Sequence, residues 1–173
     1  MLIDAFMPEG ITQLAVDSIF MMPQLGVLAN IDSKELKDDA SQAALEVFDN
    51  DCLIRLGTCI APIGKAKPRS QMAQVSLSFE DGSTKKININ EGSLEMLEVP
   101  YEPVKIEMQP SRGIDVGAGK GEPLSSTIYG GIVGLIFDGR NRPINLPKDS
   151  SDRIQNLLNW SDAVNEYPKG DLF

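Results

Sequence analysis

Two short stretches of this sequence hold the residues best suited to binding a charged ligand. The first is GIDVGAGKGEP at residues 113–123, which combines four glycines with Asp115 and Lys120. Glycines let backbone N–H groups approach phosphate oxygens closely, and a lysine neutralises their charge. The second is FDGRNRP at residues 137–143, where Arg140 and Arg142 could hold a carboxylate or phosphate through paired hydrogen bonds. Both stretches raise the hypothesis of an anion-binding or nucleotide-binding site.

The glycine-rich stretch does not match the common phosphate-binding motifs. A P-loop requires G-x-x-x-x-G-K-[ST], but a glycine follows Lys120 and Ile114 occupies the first glycine position. The pattern G-x-G-x-x-G fails as well, because Glu122 takes the third position after Gly117 and Gly119. We therefore favour a glycine-rich turn between strands. The alternative, a ligand site, would use Asp115, Gly117, Gly119 and Lys120.

The second stretch also has two interpretations. Asp138 and Gly139 are typical of a turn at the end of a strand, and Asp138 could pair with a neighbouring arginine. Pro143 restricts Arg142 to an extended conformation. We favour a turn with an internal ion pair, and a ligand site made by Asp138, Arg140 and Arg142 remains the alternative.

The composition excludes several classes of function. The 173 residues include no histidine, which removes Ser-His and Cys-His nucleophile pairs and histidine metal sites. A net charge of −9 disfavours proteins that follow nucleic-acid phosphates or bind anionic membranes. We therefore expect neither nucleic acid nor membrane as a partner, and no catalytic residue stands out.

The two cysteines and the N-terminal sequence provide evidence about the cellular compartment. Cys52 and Cys59 fit no zinc-ligand spacing, so free buried thiols in a reducing cytoplasm are expected. The sequence has no apolar run of membrane-spanning length, and MLIDAFMPEG does not resemble a signal peptide. Because patterned sequence begins at once, the chain is expected to be a piece of a longer protein.

The hydrophobic pattern predicts two helices and many short strands. One helix covers residues 33–49 with Ser33 as its cap. The other is KDSSDRIQNLLNWSDAV at 148–164, capped by Ser150 or Ser151, with Ile154, Leu157, Leu158 and Trp160 facing inward. An Asp81-Gly82 turn between two alternating runs predicts a hairpin. Strands are predicted at 11–17, 52–64, 72–79, 84–90, 94–100, 104–110, 113–119 and 130–138. For residues 19–32 the sequence does not decide between a short strand and a helical turn.

These elements predict an α+β fold in three segments. Residues 1–64 form a small α/β segment, residues 65–147 a β-rich, barrel-like domain, and residues 148–173 a closing helix and tail. The basic, proline-containing run GKAKPRS after residue 63 is the best candidate boundary.

Several stretches carry a resemblance to a known family. LIDAFMPEGITQLAVDSIFMMPQLGVLA, GTCIAPIG, SRGIDVGAGKGEP and above all GGIVGLIFDGRNRPINLP followed by LLNW resemble the C-terminal region of glutamate mutase (methylaspartate mutase) accessory proteins. This family is called MutL and is unrelated to the mismatch-repair protein of that name. Asn141 stands where the family pattern D-x-RGRP has glycine.

The resemblance implies a role and a fold. It implies an actin-like ATPase in the full-length family, associated with an adenosylcobalamin-dependent mutase in a reactivating or assembly chaperone-like role. Residues 2–29 would then be a remnant of the actin-like lobe, and ATP with magnesium would bind elsewhere in the full-length protein. The partner would be the mutase subunits or the chain's own N-terminal ATPase lobe.

Two functions follow as expectations. The leading one is a non-enzymatic accessory or interaction domain of a mutase-associated ATPase. The alternative is an enzyme domain that binds a nucleotide or anion through loop 113–123 together with Arg140 and Arg142.

Overall fold

A computed structural model of the chain describes residues 2–30, 37–144 and 146–164. The helices are α1 (Leu2–Phe6), α2 (Met22–Ala29), α3 (Lys37–Val47) and α4 (Ser150–Val164), and a π-helical turn, Phe48–Cys52, follows α3. The strands are β1 (Gly10–Asp17), β2 (Leu53–Ala61), β3 (Ile63–Gly64), β4 (Gln71–Ser78), β5 (Thr84–Asn90), β6 (Leu94–Leu97), β7 (Pro103–Pro110), β8 (Ile114–Asp115), β9 (Leu124–Tyr129) and β10 (Gly134–Asp138). The mixed α and β fold predicted from the sequence is confirmed. No helix among the described residues is both long and apolar enough to cross a membrane.

The described residues divide into two compact units. One contains residues up to 13 and from 57 onward, and the other contains residues 14–56. The segmentation at residues 64 and 147 stays a prediction.

The strands form three open sheets. The first has the order β1-β2-β10-β6, the second pairs β3 with β8, and the third has the order β5-β4-β7-β9. None of these sheets of described residues closes on itself, so the barrel-like arrangement is not confirmed.

The predicted hairpin is confirmed. Strands β4 and β5 pair antiparallel, with Val75 opposite Ile87 and Ser78 opposite Thr84. The Asp81 carboxylate accepts a hydrogen bond from the Ser83 N–H at 2.8 Å, which is the local bond that favours Asp at a turn.

The core of the larger unit is built from two of the sheets. Alternate residues of β7, among them Val104, Ile106 and Met108, are buried, as a strand with one buried face requires. All five residues of β10 are buried, and Leu135 and Phe137 belong to the same core cluster. The core therefore holds β10 by apolar packing along its length and delivers its last residue, Asp138, to a buried position.

The smaller unit packs around two helices. Leu25 of α2, Ala44 of α3 and Cys52 form its buried cluster. The stretch that the sequence left open is helical at Met22–Ala29, and the Asp17 carboxylate accepts from the Met22 N–H at 3.0 Å. The predicted cap of α3, Ser33, lies outside the described residues.

Three sequence-based expectations are corrected. Strand β9, with the polar sequence LSSTIY, was not predicted, because an edge strand with three exposed polar residues lacks the apolar alternation that marks a strand. The cap of α4 is Asp149, whose carboxylate accepts from the N–H groups of Ser151 and Asp152 at 2.9 and 3.1 Å. Ile154, Leu157 and Leu158 of α4 are exposed rather than inward-facing.

The parallel pairing of β2 with β10 depends on a close backbone approach. Gly57 lies opposite Gly134, and a Cβ atom added at Gly57 would lie 1.9 Å from the Gly134 carbonyl oxygen. No side chain fits between the two strands at this point, so the pairing requires glycine.

We predict that Gly57→Ala destabilises the protein by about 3 kcal/mol, because overpacking adds to backbone strain at a φ of +142°. The control is Gly82→Ala in the hairpin turn, where φ is +82° but no atom lies within 4 Å of the added Cβ. This control should cost only about 1 kcal/mol. Urea unfolding followed by circular dichroism measures both, and equal losses would contradict the steric explanation.

Candidate functional site

Asp138 and Arg140 form a buried ion pair at the end of β10. Asp138 Oδ1 accepts hydrogen bonds from the backbone N–H and the Nε of Arg140 at 3.0 and 2.9 Å. Its Oδ2 accepts from Arg140 Nη2 at 2.8 Å and from Arg142 Nη2 at 3.1 Å. Both oxygens of the fully buried carboxylate are thus used inside the protein.

Arg140 extends this network to both terminal helices of the larger unit. Its Nη1 lies 2.8 Å from an oxygen of Asp4 in α1. Its guanidinium carbon lies 5.2 Å from the ring centroid of Trp160 in α4, within the range of a cation–π interaction. The Trp160 Nε1–H in turn donates to the Gly92 carbonyl at 2.7 Å. One arginine therefore joins three separate parts of the chain.

Arg142 donates hydrogen bonds to two backbone carbonyl groups, one distant in the sequence and one adjacent. Its Nε donates to the Pro8 carbonyl at 3.0 Å and its Nη1 to the Asn141 carbonyl at 2.9 Å. Asn141 has a φ of +64°, a left-handed conformation that glycine and asparagine adopt most readily. Its side chain accepts from the Gly64 N–H at 3.2 Å. Asparagine at the position where the resemblance led us to expect glycine is therefore compatible with the turn.

The network shifts the pKa values of its members. Burial raises the pKa of Asp138, but the hydrogen bonds and charge of Arg140 outweigh burial and hold that pKa below its usual value. The pKa of Arg140 is raised in spite of burial, because Asp138 and Asp4 stabilise its charge. Burial and the Asp138 charge raise the pKa of the nearby Cys59 thiol to about 12. Cys59 is therefore a protonated thiol at neutral pH and a poor nucleophile.

In the glycine-rich loop, residues 113–123, the carboxylate of Asp115 accepts hydrogen bonds from the loop's own backbone. Asp115 Oδ1 accepts from the N–H groups of Gly117 and Gly119 at 2.7 and 3.0 Å. The backbones of Asp115 and Lys120 also pair in an isolated antiparallel β-bridge, and the Lys120 side chain is exposed. The N–H groups that a phosphate would need are thus directed at Asp115, and an anion would have to displace a negative charge to reach them.

The structure places the predicted site residues in two groups. Asp138, Arg140 and Arg142 share one buried network, whereas Asp115 binds within loop 113–123. The contacts that sequence reasoning missed are those of Arg142 with the Pro8 carbonyl and of Asn141 with the Gly64 N–H, because a backbone group far away in sequence leaves no local signal. Asp4 lies in the apolar run LIDAF and Trp160 in the predicted closing helix, but nothing in the sequence pairs either residue with Arg140.

No family model, curated protein or solved structure matches this chain. The resemblance to the mutase accessory proteins therefore remains a prediction from the quoted motifs.

Two surface cavities lie on the outer face of the sheet that contains β4, β7 and β9. One of about 290 Å³ is lined by residues including Gln74, Ser76 and Glu107. The other, of about 760 Å³, is lined by residues including Ser78 and Lys105. Neither lining contains a candidate residue.

The lowered pKa of Asp138 predicts an acid-dependent loss of stability. The folded protein binds this proton more weakly than the unfolded chain, so the stabilisation is complete above the usual aspartate pKa of about 4. It is lost as the pH falls below that value toward the folded-state pKa. We predict that Asp138→Asn lowers the free energy of unfolding at pH 7 by about 3–5 kcal/mol, because Arg140 loses its principal counter-ion. The free energy of unfolding of this variant should also depend less on pH in the acid range.

Urea titrations at a series of pH values measure both effects. The control is Asp162→Asn, which removes an exposed carboxylate from α4 and should leave the pH profile nearly unchanged. An Asp138→Asn variant as stable as the parent at pH 7 would contradict the assigned role of this ion pair.

A second prediction concerns anion binding. Titration calorimetry with inorganic phosphate or Mg-ATP should give no saturable heat, because the N–H groups of loop 113–123 and the charges of Arg140 and Arg142 already have internal partners. Saturable heat that disappears in Lys120→Ala would instead support the nucleotide-binding alternative.

Proposed function

We propose that this chain is a protein-interaction domain of an ATPase that assists a cobalamin-dependent mutase, and that it works by binding protein rather than by catalysis. The motifs quoted above support the association with a mutase. The internal use of the charged candidate residues supports a structural role for GGIVGLIFDGRNRPINLP. In this proposal ATP and magnesium bind outside this chain. The two free, buried cysteines are compatible with a cytoplasmic protein.

The observation that carries the proposal is the exposed apolar stripe of α4. Ile154, Leu157 and Leu158 are 55%, 47% and 52% exposed, and Val164 is 40% exposed. Residues spaced by three and four lie on one side of a helix, so these aliphatic side chains form a continuous stripe. A helix that presents such a stripe to water is suited to an apolar groove on another protein.

The stripe belongs to a helix that is held in place by other residues. Its partly buried face consists of Arg153, Asn156, Trp160 and Ala163. Trp160 anchors this face through its hydrogen bond to Gly92 and its contact with Arg140, and α4 packs against β6. Because the polar and aromatic face makes the intramolecular contacts, the aliphatic stripe remains available to a partner without loss of the anchor.

The partner in this proposal is the mutase itself. Helix-in-groove binding draws most of its energy from a few buried side chains, here the two leucines at the centre of the stripe. The N-terminal ATPase lobe of the full-length family is the other partner that the resemblance implies. The binding experiment below distinguishes the two.

The test compares two alanine pairs on the same helix. Leu157→Ala with Leu158→Ala shortens the stripe, and Gln155→Ala with Asn159→Ala changes the same number of side chains on an exposed polar side of the helix outside the stripe. Alanine favours helix at all four positions, so both variants should keep α4 intact. We predict that the leucine pair weakens binding to purified mutase subunits at least about tenfold, because buried leucine surface is lost, while the control pair leaves it unchanged.

Biolayer interferometry with immobilised mutase subunits measures both dissociation constants. Equal binding by both variants, or no binding of the parent chain to the mutase, would contradict the proposal. Binding to an ATPase lobe but not to the mutase would assign the stripe to the other partner and overturn the choice made here.

A further inference from the structure

A rigid turn between β9 and β10 carries a highly exposed isoleucine. Ile132, in the sequence GGIVG, is 76% exposed. Isolated exposed aliphatic residues are common on protein surfaces and require no explanation. Ile132 differs because the backbone of its turn is fixed and because two stacked tyrosines lie at the base of that turn.

The backbone of this turn is fixed against residues 97–102. The Gly131 N–H donates to the Val99 carbonyl at 2.9 Å, and the Gly130 N–H donates to the Glu102 carbonyl at 3.3 Å. A Cβ atom at Gly130 would lie 2.1 Å from the Pro100 carbonyl oxygen. The backbone of the turn is therefore in direct contact with the backbone of residues 99–102. This contact fixes the backbone of the turn that carries the exposed Ile132. A segment whose backbone is already ordered loses less entropy on binding.

Tyr101 and Tyr129 flank the turn. Their rings stack with centroids 5.3 Å apart, and the residues are 54% and 38% exposed. Tyr129 immediately precedes Gly130 and lies opposite Pro103 in the β7–β9 ladder, which places both rings at the base of the turn. We call Tyr101, Tyr129 and Ile132 the turn knob. Tyrosine is enriched among the residues that dominate binding energy at protein interfaces.

The surroundings of the turn knob are acidic. Glu95 and Glu98 are exposed and Glu102 is half-buried, and residues 94–104 include no lysine or arginine. The nearest basic residue along β7 is Lys105, which lies opposite Thr127, two residues along the ladder from the Pro103–Tyr129 pair and on the same face of the sheet. The chain as a whole carries a net charge of −9. This electrostatic field attracts cations and repels anionic lipids and nucleic acids.

We infer that the turn knob binds a segment of a partner protein that is both basic and apolar. An aliphatic side chain of the partner covers Ile132, an arginine or lysine lies over an exposed tyrosine face, and Glu98 and Glu102 neutralise its charge. This inference goes beyond the proposed function, because it concerns a different surface from the stripe of α4 and does not require the mutase to be the partner.

The test uses a short fluorescein-labelled peptide of alternating arginine and leucine and measures fluorescence anisotropy with the intact chain. We expect saturable binding to the parent chain and at least about tenfold weaker binding to Ile132→Ser. The matched control is Ile19→Ser, the same change at an exposed position of the smaller unit, and it should bind like the parent. Tyr101→Ala should weaken binding as well, because the cation loses its aromatic face.

The charge component is tested separately. Glu98→Gln with Glu102→Gln should weaken binding at low salt and reduce its salt dependence. The control pair, Glu9→Gln with Glu122→Gln, removes two exposed carboxylates elsewhere and should have little effect. The inference would be overturned if both glutamine pairs weakened binding equally while Ile132→Ser bound the peptide like the parent. The peptide would then respond only to the net charge of the protein. Equal binding of a peptide of alternating glutamate and leucine would also overturn the inference. All these changes are at exposed or half-buried side chains, and circular dichroism confirms folding before each titration.

Discussion

The ion pair of Asp138 and Arg140 is the interaction on which the larger unit most depends. Moving two charges out of water is costly, and attraction offsets this cost only when the geometry is good and every remaining donor and acceptor is used. Here both carboxylate oxygens accept two hydrogen bonds each, and the guanidinium also contacts Asp4 and Trp160. Since these partners belong to α1, the end of β10 and α4, the pair fixes how two helices attach to the core.

The same arrangement explains why charged residues of promising type do not form an evident ligand site. Arg140 and Arg142 point at internal acceptors, and Asp115 takes the N–H groups that make a glycine-rich loop attractive to phosphate. The hydrogen-bonding groups of these candidate residues are therefore directed at partners inside the protein. Apolar side chains, in contrast, are exposed along α4 and at the turn knob. This distribution is the basis of the proposal that the chain binds other proteins.

The sequence was informative where local chemistry decides the structure. The Asp81-Gly82 turn, the alternation of Val75 with its polar neighbours and the turn at Asp138 were predicted, because each depends on residues adjacent in the chain. Helical periodicity correctly located α4 but not its orientation. The periodicity identifies an apolar stripe. The assumption that this stripe faces the core was wrong, because Trp160 attaches a different face of α4 through Gly92 and Arg140. The joining of Asp4 to Arg140 could not be predicted, since many carboxylates compete for each arginine until the fold brings one of them close.

Trp160 has a further consequence, because it is the only tryptophan in the sequence. Its indole ring lies against the guanidinium of Arg140 and donates to the Gly92 carbonyl, at the junction of α4 with the core. Its fluorescence therefore reports on this one junction, without the overlapping emission that several tryptophans would give. Detachment of α4 would change the emission before the sheets unfold, so the protein carries its own optical probe of the ion-pair network.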